Sequence, residues 1–581
     1  RRYVVRDRGA RPKRIGEEPQ IDLVLLVTRY RDAFAGFRVQ STTRRIPIAL
    51  GPDGEESIAP RLIGRVRSPF LVDVLRQRPR VEELIELQRT LDLPEADRRR
   101  ILSLIDDIHQ PGSTIGGSGS EGWFDGELAG TAGYREIHGL QDRVAGNRAP
   151  IYKGAVDGKD VTLTLDIDLQ RAAEEVLRDP LPPPSRDRGV DDHWFECPIG
   201  SIVLATVDGQ ILVAASGPRE AGPEVDPLHP LHDAFLLTDG ERAFTSERSL
   251  TRPRFQPPGS VVKPLLAAYA LEHLGLDPDE EFVQCTPHQA RPGTRPKNSP
   301  RAGFGMIDCN VGMGHSVQLG RGARLALRAS LMRSCNVYFA ALAEWRFDPR
   351  SIRDAYRTFG FGRATGVRYQ EDGKRSGLVD SYWFAPTSPL HTSNDPSRVD
   401  EVSRQYLGNG LRDIDSNVVQ VARAYAGLAS GSLPDMTLVS AIGDDPVARV
   451  TRALGIGTEH LAFVRDTLDR VVNESGGSAF GKGLDEADLG FRLAAKTGSA
   501  DYRTGWVPPK NGRGVPLDSY EEGTRKHTWL AGWFPSRDPK YVLVVYLHDT
   551  SATSSHSAVY VAQQFLRRDE VRTLVDGGGA R

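Results

Sequence analysis

Apolar residues change their period several times along this chain. Up to about residue 50 they fall in short alternating runs between turns, after an arginine-rich start with Arg6-Asp7-Arg8-Gly9, and this predicts short strands. Between Arg80 and Ile108 the spacing turns helical. Val81, Leu84, Leu87 and Leu91 share one face, Pro94 suits the first turn of a second helix, and Ile101, Leu102, Leu104 and Ile105 continue it. Charged residues fill the other faces, so the segment reads as an amphipathic two-helix insert. Four glycines and three serines between Pro111 and Ser120 then break the chain.

After Gly154 the pattern changes again. Val161-Thr162-Leu163-Thr164-Leu165 alternates like a strand, and Asp168 is placed to cap a helix carrying Leu169, Ala172, Ala173, Val176 and Leu177. Ser201 to Val207 and Gln210 to Ser216 are β-branched runs joined by Asp208-Gly209, the clearest hairpin in the sequence. Helices follow at Lys263 to Leu274, around Ala323 to Trp345, and at Val418 to Ser430. Strands then return: Phe491 to Ala495, and Thr528 to Phe534 pairing with Tyr541 to His548 across Pro535 to Pro539, before a closing helix at Val559 to Arg567. Strands first, helices in the middle and strands last predict an α+β fold, one antiparallel sheet covered by helices. No internal repeat is visible.

Length and charge narrow the classes. At 581 residues the chain is long enough for two to four ordinary domains. Its 75 basic and 77 acidic residues nearly cancel, so no nucleic-acid partner is expected. The first apolar run, Ile21 to Val27, is interrupted by Asp22 and far short of the roughly 20 residues that span a bilayer. The chain opens on Arg1, which leaves room for a membrane anchor upstream. Four cysteines (Cys197, Cys285, Cys309, Cys335) are too few for a disulfide scaffold and lack zinc-finger spacing. Pairing of Cys285 with Cys309 stays open. No metal and no cofactor are expected.

The chemistry centres on Pro257-Pro258-Gly259-Ser260-Val261-Val262-Lys263-Pro264. If Ser260 opens a helix, Lys263 lies one turn along on the same face and can act as base on the hydroxyl once burial favours its neutral form. A Ser-x-x-Lys match arises about once by chance in a chain this long, so the pair alone decides nothing. Ser334-Cys335-Asn336 offers a hydroxyl and an amide, or simply a helix cap. Lys496-Thr497-Gly498-Ser499 ends a buried strand, where Gly498 admits a second backbone and the lysine and hydroxyls offer donors to a peptide carboxylate; a solvated strand-end turn is the plainer reading.

Taken together in this order, the three motifs resemble those of penicillin-binding proteins and serine β-lactamases. Tyr338-Phe339 after the second motif and Trp529-Leu530-Ala531-Gly532-Trp533-Phe534-Pro535 on the next strand strengthen the likeness. Residues 156–581 resemble a transpeptidase domain, entered through Leu163-Thr164-Leu165-Asp166 and Gln170. Residues 1–155, with Gly119-Ser120-Glu121 and Leu128 to Gly133, resemble the smaller non-catalytic pedestal of monofunctional (class B) members.

The resemblance implies a D,D-transpeptidase crosslinking peptidoglycan stem peptides through a Ser260 acyl-enzyme that β-lactams also form. Lys263 would be the base, Ser334 the proton relay, and Asn336 a holder of the substrate amide. Lys496, Thr497, Gly498 and Ser499 would bind substrate, and the backbone N–H groups of Ser260 and Ser499 would form the oxyanion hole. Implied partners are the D-Ala-D-Ala donor, an amine acceptor, a glycosyltransferase and other cell-wall synthesis membrane proteins, on the extracytoplasmic side and tethered by an anchor. Three departures stand out: Val261-Val262 in place of Thr-Phe, Ala495 where glycine often stands, and Ser499 for threonine. A D,D-carboxypeptidase or β-lactamase-like hydrolase, and an idle cell-wall scaffold, are the alternatives.

Overall fold

Asp208-Gly209 makes the predicted hairpin. Gly209 sits at φ +100°, where a side chain is strained, and the two β-branched runs fold back as Gly200–Thr206 (β1) and Ile211–Gly217 (β2). These coordinates are a computed structural model. It describes residues 2–5, 13–17, 37–40, 49–50, 56–57, 63, 65–67, 115–130, 134–135, 152–154, 156–178, 200–217, 256–286, 303–304, 307–311, 314–320, 323–363, 365, 399–412, 414–507, 521–550 and 557–577. The two-helix insert expected between Arg80 and Ile108 lies outside these residues, as does Cys197.

The hairpin continues into a five-stranded antiparallel sheet ordered β2-β1-β5-β4-β3, where β3 is Ala494–Val507, β4 Glu521–Phe534 and β5 Tyr541–Thr550. The expected pairing across Pro535 holds, with Trp529 opposite Tyr546 and Phe534 opposite Tyr541. Successive residues Ile202, Val203, Leu204 and Ala205 of β1 are all fully buried, so both faces of the sheet are covered. Ile167–Arg178 (α1) packs on β2, and Ala558–Leu566 lies against α1, β4 and β5. Val418–Ser430 (α2) packs on β1, β4 and β5 and is buried on nearly every face. Trp529 and Trp533 of β4 are wholly buried; removing either ring would cost about 3–5 kcal/mol.

Gln170 shows how the edge strand β2 is protected. Its side chain accepts from Ala214 N (2.8 Å) and donates to Ala214 O (3.3 Å), acting as one more residue of a strand while Glu174 takes the other amide hydrogen. The helix it sits on is capped by Asp166, whose carboxylate accepts from the N–H groups of Asp168 and Leu169, rather than by Asp168 as expected. The closing helix also differs from expectation: Ala558–Leu566 is followed by another, Asp569–Gly577.

The chain divides into two compact units, Arg1–Ile58 and Ala59–Arg581. The first holds an antiparallel sheet with Arg2–Val5 between Lys13–Glu17 and Phe37–Gln40, and a pair Ala49–Leu50 with Glu56–Ser57. In the second, the Gly/Ser-rich stretch is not simply a break: Ile115–Ser118 pairs with Arg65–Arg67 and runs into Gly119–Trp123, a short helix. Phe124 then packs against Val439 and Ile442, so this upstream segment shares a small core with downstream strands. The boundary expected at residue 155 stays an expectation. Among the described residues no helix is long and apolar enough to cross a membrane.

Candidate active site

Ser260 lies in a 3₁₀ turn, Gly259–Val262, that leads without interruption into the helix Lys263–His273 (α3 hereafter). The turn is pinned from three sides. Gly259 N donates to Gly410 O (2.7 Å), Trp529 Nε1 donates to Pro257 O (3.0 Å), and Tyr425 from α2 donates to Val261 O (2.9 Å). Gly259 has φ +59°, and a Cβ there would come within 2.6 Å of Ser499 O; one on Gly498 would come within 2.9 Å of Val261 and 3.0 Å of Pro258 O. Only glycines allow the Ser260 turn and the edge strand β3 to lie backbone against backbone.

Lys263 is completely buried. Its ammonium donates to Asn336 Oδ1 (2.6 Å) and Ser334 O (3.0 Å), so the first motif is joined to the second rather than closed on itself. Burial pushes its pKa down to about 8, against an opposing pull from the buried thiols of Cys335, Cys309 and Cys285. Lys496 is equally buried and pushed well below the ordinary lysine range, first by burial and then by the charges of Lys263 and Lys482. Its Nζ donates to Thr497 O (2.9 Å), and Thr497 Oγ1 lies 2.9 Å from Ser478 Oγ.

Ser334 adopts the left-handed backbone region, φ +57°, the sole non-glycine to do so among the described residues. That conformation costs of the order of 1–3 kcal/mol. Neither Ser334 nor Asn336 is the helix cap that the plainer reading suggested. Cys335 occupies the N-cap position of Asn336–Trp345 (α4 hereafter), and the Asn336 side chain is spent elsewhere: its Nδ2 donates to Asp308 O (2.9 Å).

All three expected motifs therefore meet around Ser260. The sequence reading passed over Asn409 and Gly410, which do as much to hold them. Asn409 Nδ2 donates to Asn336 O (3.2 Å), and Gly410, φ +64°, supplies the carbonyl that holds Gly259. The closely spaced glycines of Gly408-Asn409-Gly410 were the available signal. Ser478 was also missed, in a Gly-Gly-Ser loop with no recognisable pattern.

A second group of residues was not expected at all. Cys285, Cys309, His315 and Cys335 are buried, and their ligand atoms all lie within 4.8 Å of one another. The three cysteines are free, so Cys285 and Cys309 are not joined. Zinc-finger spacing could not reveal this set because four separate segments contribute to it. The one local signal was a cysteine inside Ser334-Cys335-Asn336.

The chain matches the family model described as penicillin binding protein transpeptidase domain over residues 200–567. It is 23% identical over 484 residues to the peptidoglycan D,D-transpeptidase MrdA of Haemophilus influenzae, covering 76% of this chain and 61% of that protein. It is 25% identical over 513 residues to the probable peptidoglycan D,D-transpeptidase PbpC of Pseudomonas aeruginosa, covering 84% and 75%. A solved complex between the penicillin-binding protein PBP2 and MreC from Helicobacter pylori shares the fold, with a TM-score of 0.60 and 16% identity over 98% of this chain and 85% of that one.

Proposed function

Because the chain belongs to the penicillin-binding protein transpeptidase family, we propose that it is a serine D,D-transpeptidase that crosslinks peptidoglycan stem peptides and is acylated by β-lactams. The observation that carries this reading is the joint between Lys263 and the Ser334–Asn336 segment, with the Ser499 backbone against the nucleophile turn. Ser260 Oγ attacks the carbonyl between two terminal D-alanines. Its proton passes to neutral Lys263 and reaches the leaving amine through Ser334, and the C–N bond breaks as the ester forms. An acceptor amine then attacks the ester and frees Ser260.

The backbone N–H groups of Ser260 and Ser499 bind the developing oxyanion; each such donor is worth about 3–4 kcal/mol in related acyl transfer. A substrate strand lies along the free edge of β3, Asn336 holds its amide, and its carboxylate meets Lys496, Thr497 and Ser499. Burial disfavours charge on Lys496, and among the described residues no carboxylate is paired with it, so an arriving carboxylate supplies a counter-ion. Ser499 keeps the hydroxyl that threonine would offer, while Val261-Val262 and Ala495 alter pocket shape rather than the reaction.

By analogy with its relatives, the protein works on the extracytoplasmic side, tethered by an anchor and alongside a glycosyltransferase and other cell-wall synthesis proteins. The H. pylori relative seen with MreC supports such an assembly. The division of labour at residue 155, with a pedestal before the catalytic domain, belongs to the same proposal.

Labelling with a fluorescent penicillin followed by peptide mapping tests it. Label is expected on Ser260, with a long-lived adduct, and none on Ser260→Ala. Folded protein without label, or label that persists in the variant, overturns the reading; rapid hydrolysis of the adduct would make the protein a hydrolase.

A further inference from the structure

We propose that Cys285, Cys309, His315 and Cys335 bind one zinc ion, and that this ion positions Ser334 and Asn336 for catalysis. Four ligand-type side chains come from four segments. Cys285 follows the bridge between Val283 and Leu325, and Cys309 follows the short strand Ile307–Asp308. His315 opens a one-turn helix, and Cys335 caps α4. Their relative exposures are 0%, 4%, 2% and 0%, in that order, so the cluster is buried.

The distances from His315 to two of the sulfurs fit a tetrahedral site. Zinc–sulfur bonds of about 2.3 Å and zinc–nitrogen bonds of about 2.0–2.1 Å place sulfur and nitrogen about 3.5 Å apart across a tetrahedral centre. His315 Nδ1 lies 3.3 Å from Cys309 Sγ and 3.7 Å from Cys285 Sγ. Without a metal those contacts are hard to satisfy together. The ring nitrogen has either one lone pair or one hydrogen, so it makes one good hydrogen bond, yet it faces two sulfurs. Zinc satisfies the nitrogen and all three sulfurs at once. Ser316 steadies the first ligand, accepting from Cys285 N (2.9 Å) and donating its own N–H to Cys285 O (3.2 Å). Four protein ligands leave no open position, so the ion is structural rather than hydrolytic.

Its second role follows from where two ligands stand. Cys335 is the residue between Ser334 and Asn336, and Cys309 follows Asp308, whose carbonyl receives the Asn336 amide. Fixing both sulfurs fixes the strained turn at Ser334 and one end of the Asn336 amide; the other end meets Lys263. The positioning part of the proposal rests on the transpeptidase reading above, whereas metal binding does not.

The experiment begins with metal analysis of the full chain after dialysis, and with cobalt replacement of the bound metal. About one zinc per chain is expected, and cobalt should give intense tetrahedral d–d bands with thiolate charge transfer. Cys309→Ser should lose the metal, and Cys309→His, which restores a ligand, should keep it. Penicillin acylation of Ser260 should slow by at least about tenfold in Cys309→Ser and in zinc-stripped protein, and recover in Cys309→His and on adding zinc back. Far-ultraviolet circular dichroism should stay unchanged throughout. Zinc-free protein as isolated with no cobalt bands, or a Cys285–Cys309 disulfide in peptide maps, overturns the site. Full-rate acylation of metal-free protein overturns the positioning role alone. Metal-loaded protein that takes no label refutes the transpeptidase reading, and the positioning role with it, while the metal content still decides the site.

Discussion

Gly259→Ala tests whether the close approach of two backbones, rather than the motif residues alone, makes the site work. The added Cβ would sit 2.6 Å from Ser499 O, 3.0 Å from its carbonyl carbon and 3.1 Å from its nitrogen. Every one of those atoms is backbone of a paired strand, so no side chain can swing aside. Relief demands a separation of about 0.8 Å to reach ordinary contact at 3.4 Å. The two groups forced apart are the Ser260 turn and Ser499, the proposed sources of the nucleophile and the oxyanion donors. A misplacement near 1 Å costs about 100-fold in rate. Left-handed backbone at alanine adds about 1–2 kcal/mol of instability. The assay is the second-order rate constant for acylation by a fluorescent penicillin. Gly275→Ala is the control: φ is +62°, yet nothing lies within 4 Å of the new Cβ. It should lose similar stability and acylate normally. Acylation of Gly259→Ala within about threefold of wild type would refute the argument, and equal slowing in Gly275→Ala would assign the loss to backbone strain.

Four further outcomes follow from the structure. Acylation should rise with pH through about 8 as Lys263 loses its proton, and a profile flat across that range would exclude it as the base. The lysine's folded pKa is below its ordinary 10.5, so the unfolded chain holds this proton more tightly; the group's contribution to stability is lowest below about 8 and improves as pH climbs towards 10.5. Asp435→Ala strips the carboxylate from Arg423, which is 1% exposed on α2, and should cost about 3–5 kcal/mol in urea denaturation; a loss under about 1 kcal/mol would mean water reaches the guanidinium. Trp529→Phe keeps most of the ring but deletes the 3.0 Å bond to Pro257 O, for about 1 kcal/mol of stability, and an unchanged melting curve would show that bond to be dispensable.

What was legible in the sequence was whatever a local pattern enforces. Asp208-Gly209 between two β-branched runs permits little but a tight hairpin, and the helix at Val418–Ser430 matches its apolar period to the residue. Three motifs in the right order were enough to indicate the family. Where two neighbours compete for one task, the sequence could not choose. Asp166 and Asp168 both suit an N-cap, and only the path of the chain into the helix gives the place to Asp166. Contacts between distant segments were also hidden. Gly410 beneath Gly259, Ser478 beside Thr497, and the cysteines around His315 each depend on how separate segments pack.

Those hidden contacts explain how an arrangement so costly persists. Lys263 and Lys496 are fully buried lysines near each other, each pushed towards its neutral form, and Ser334 holds a backbone conformation that serine avoids. Each feature alone would relax if its surroundings allowed. The Ser260 turn is held by Gly410, Trp529 and Tyr425, all from outside the three motifs. The Ser334–Asn336 segment is held from a different direction, by Asp308, Asn409 and the cysteine–histidine cluster around Cys335. Lys263 is the joint between the two assemblies, and its pair of short bonds at 2.6 and 3.0 Å exists only while both stay in register. Loosening either support therefore acts on the same lysine. A substitution at Gly259 and a change at Cys309 should both appear as slower acylation, although neither residue donates or accepts a proton in the reaction.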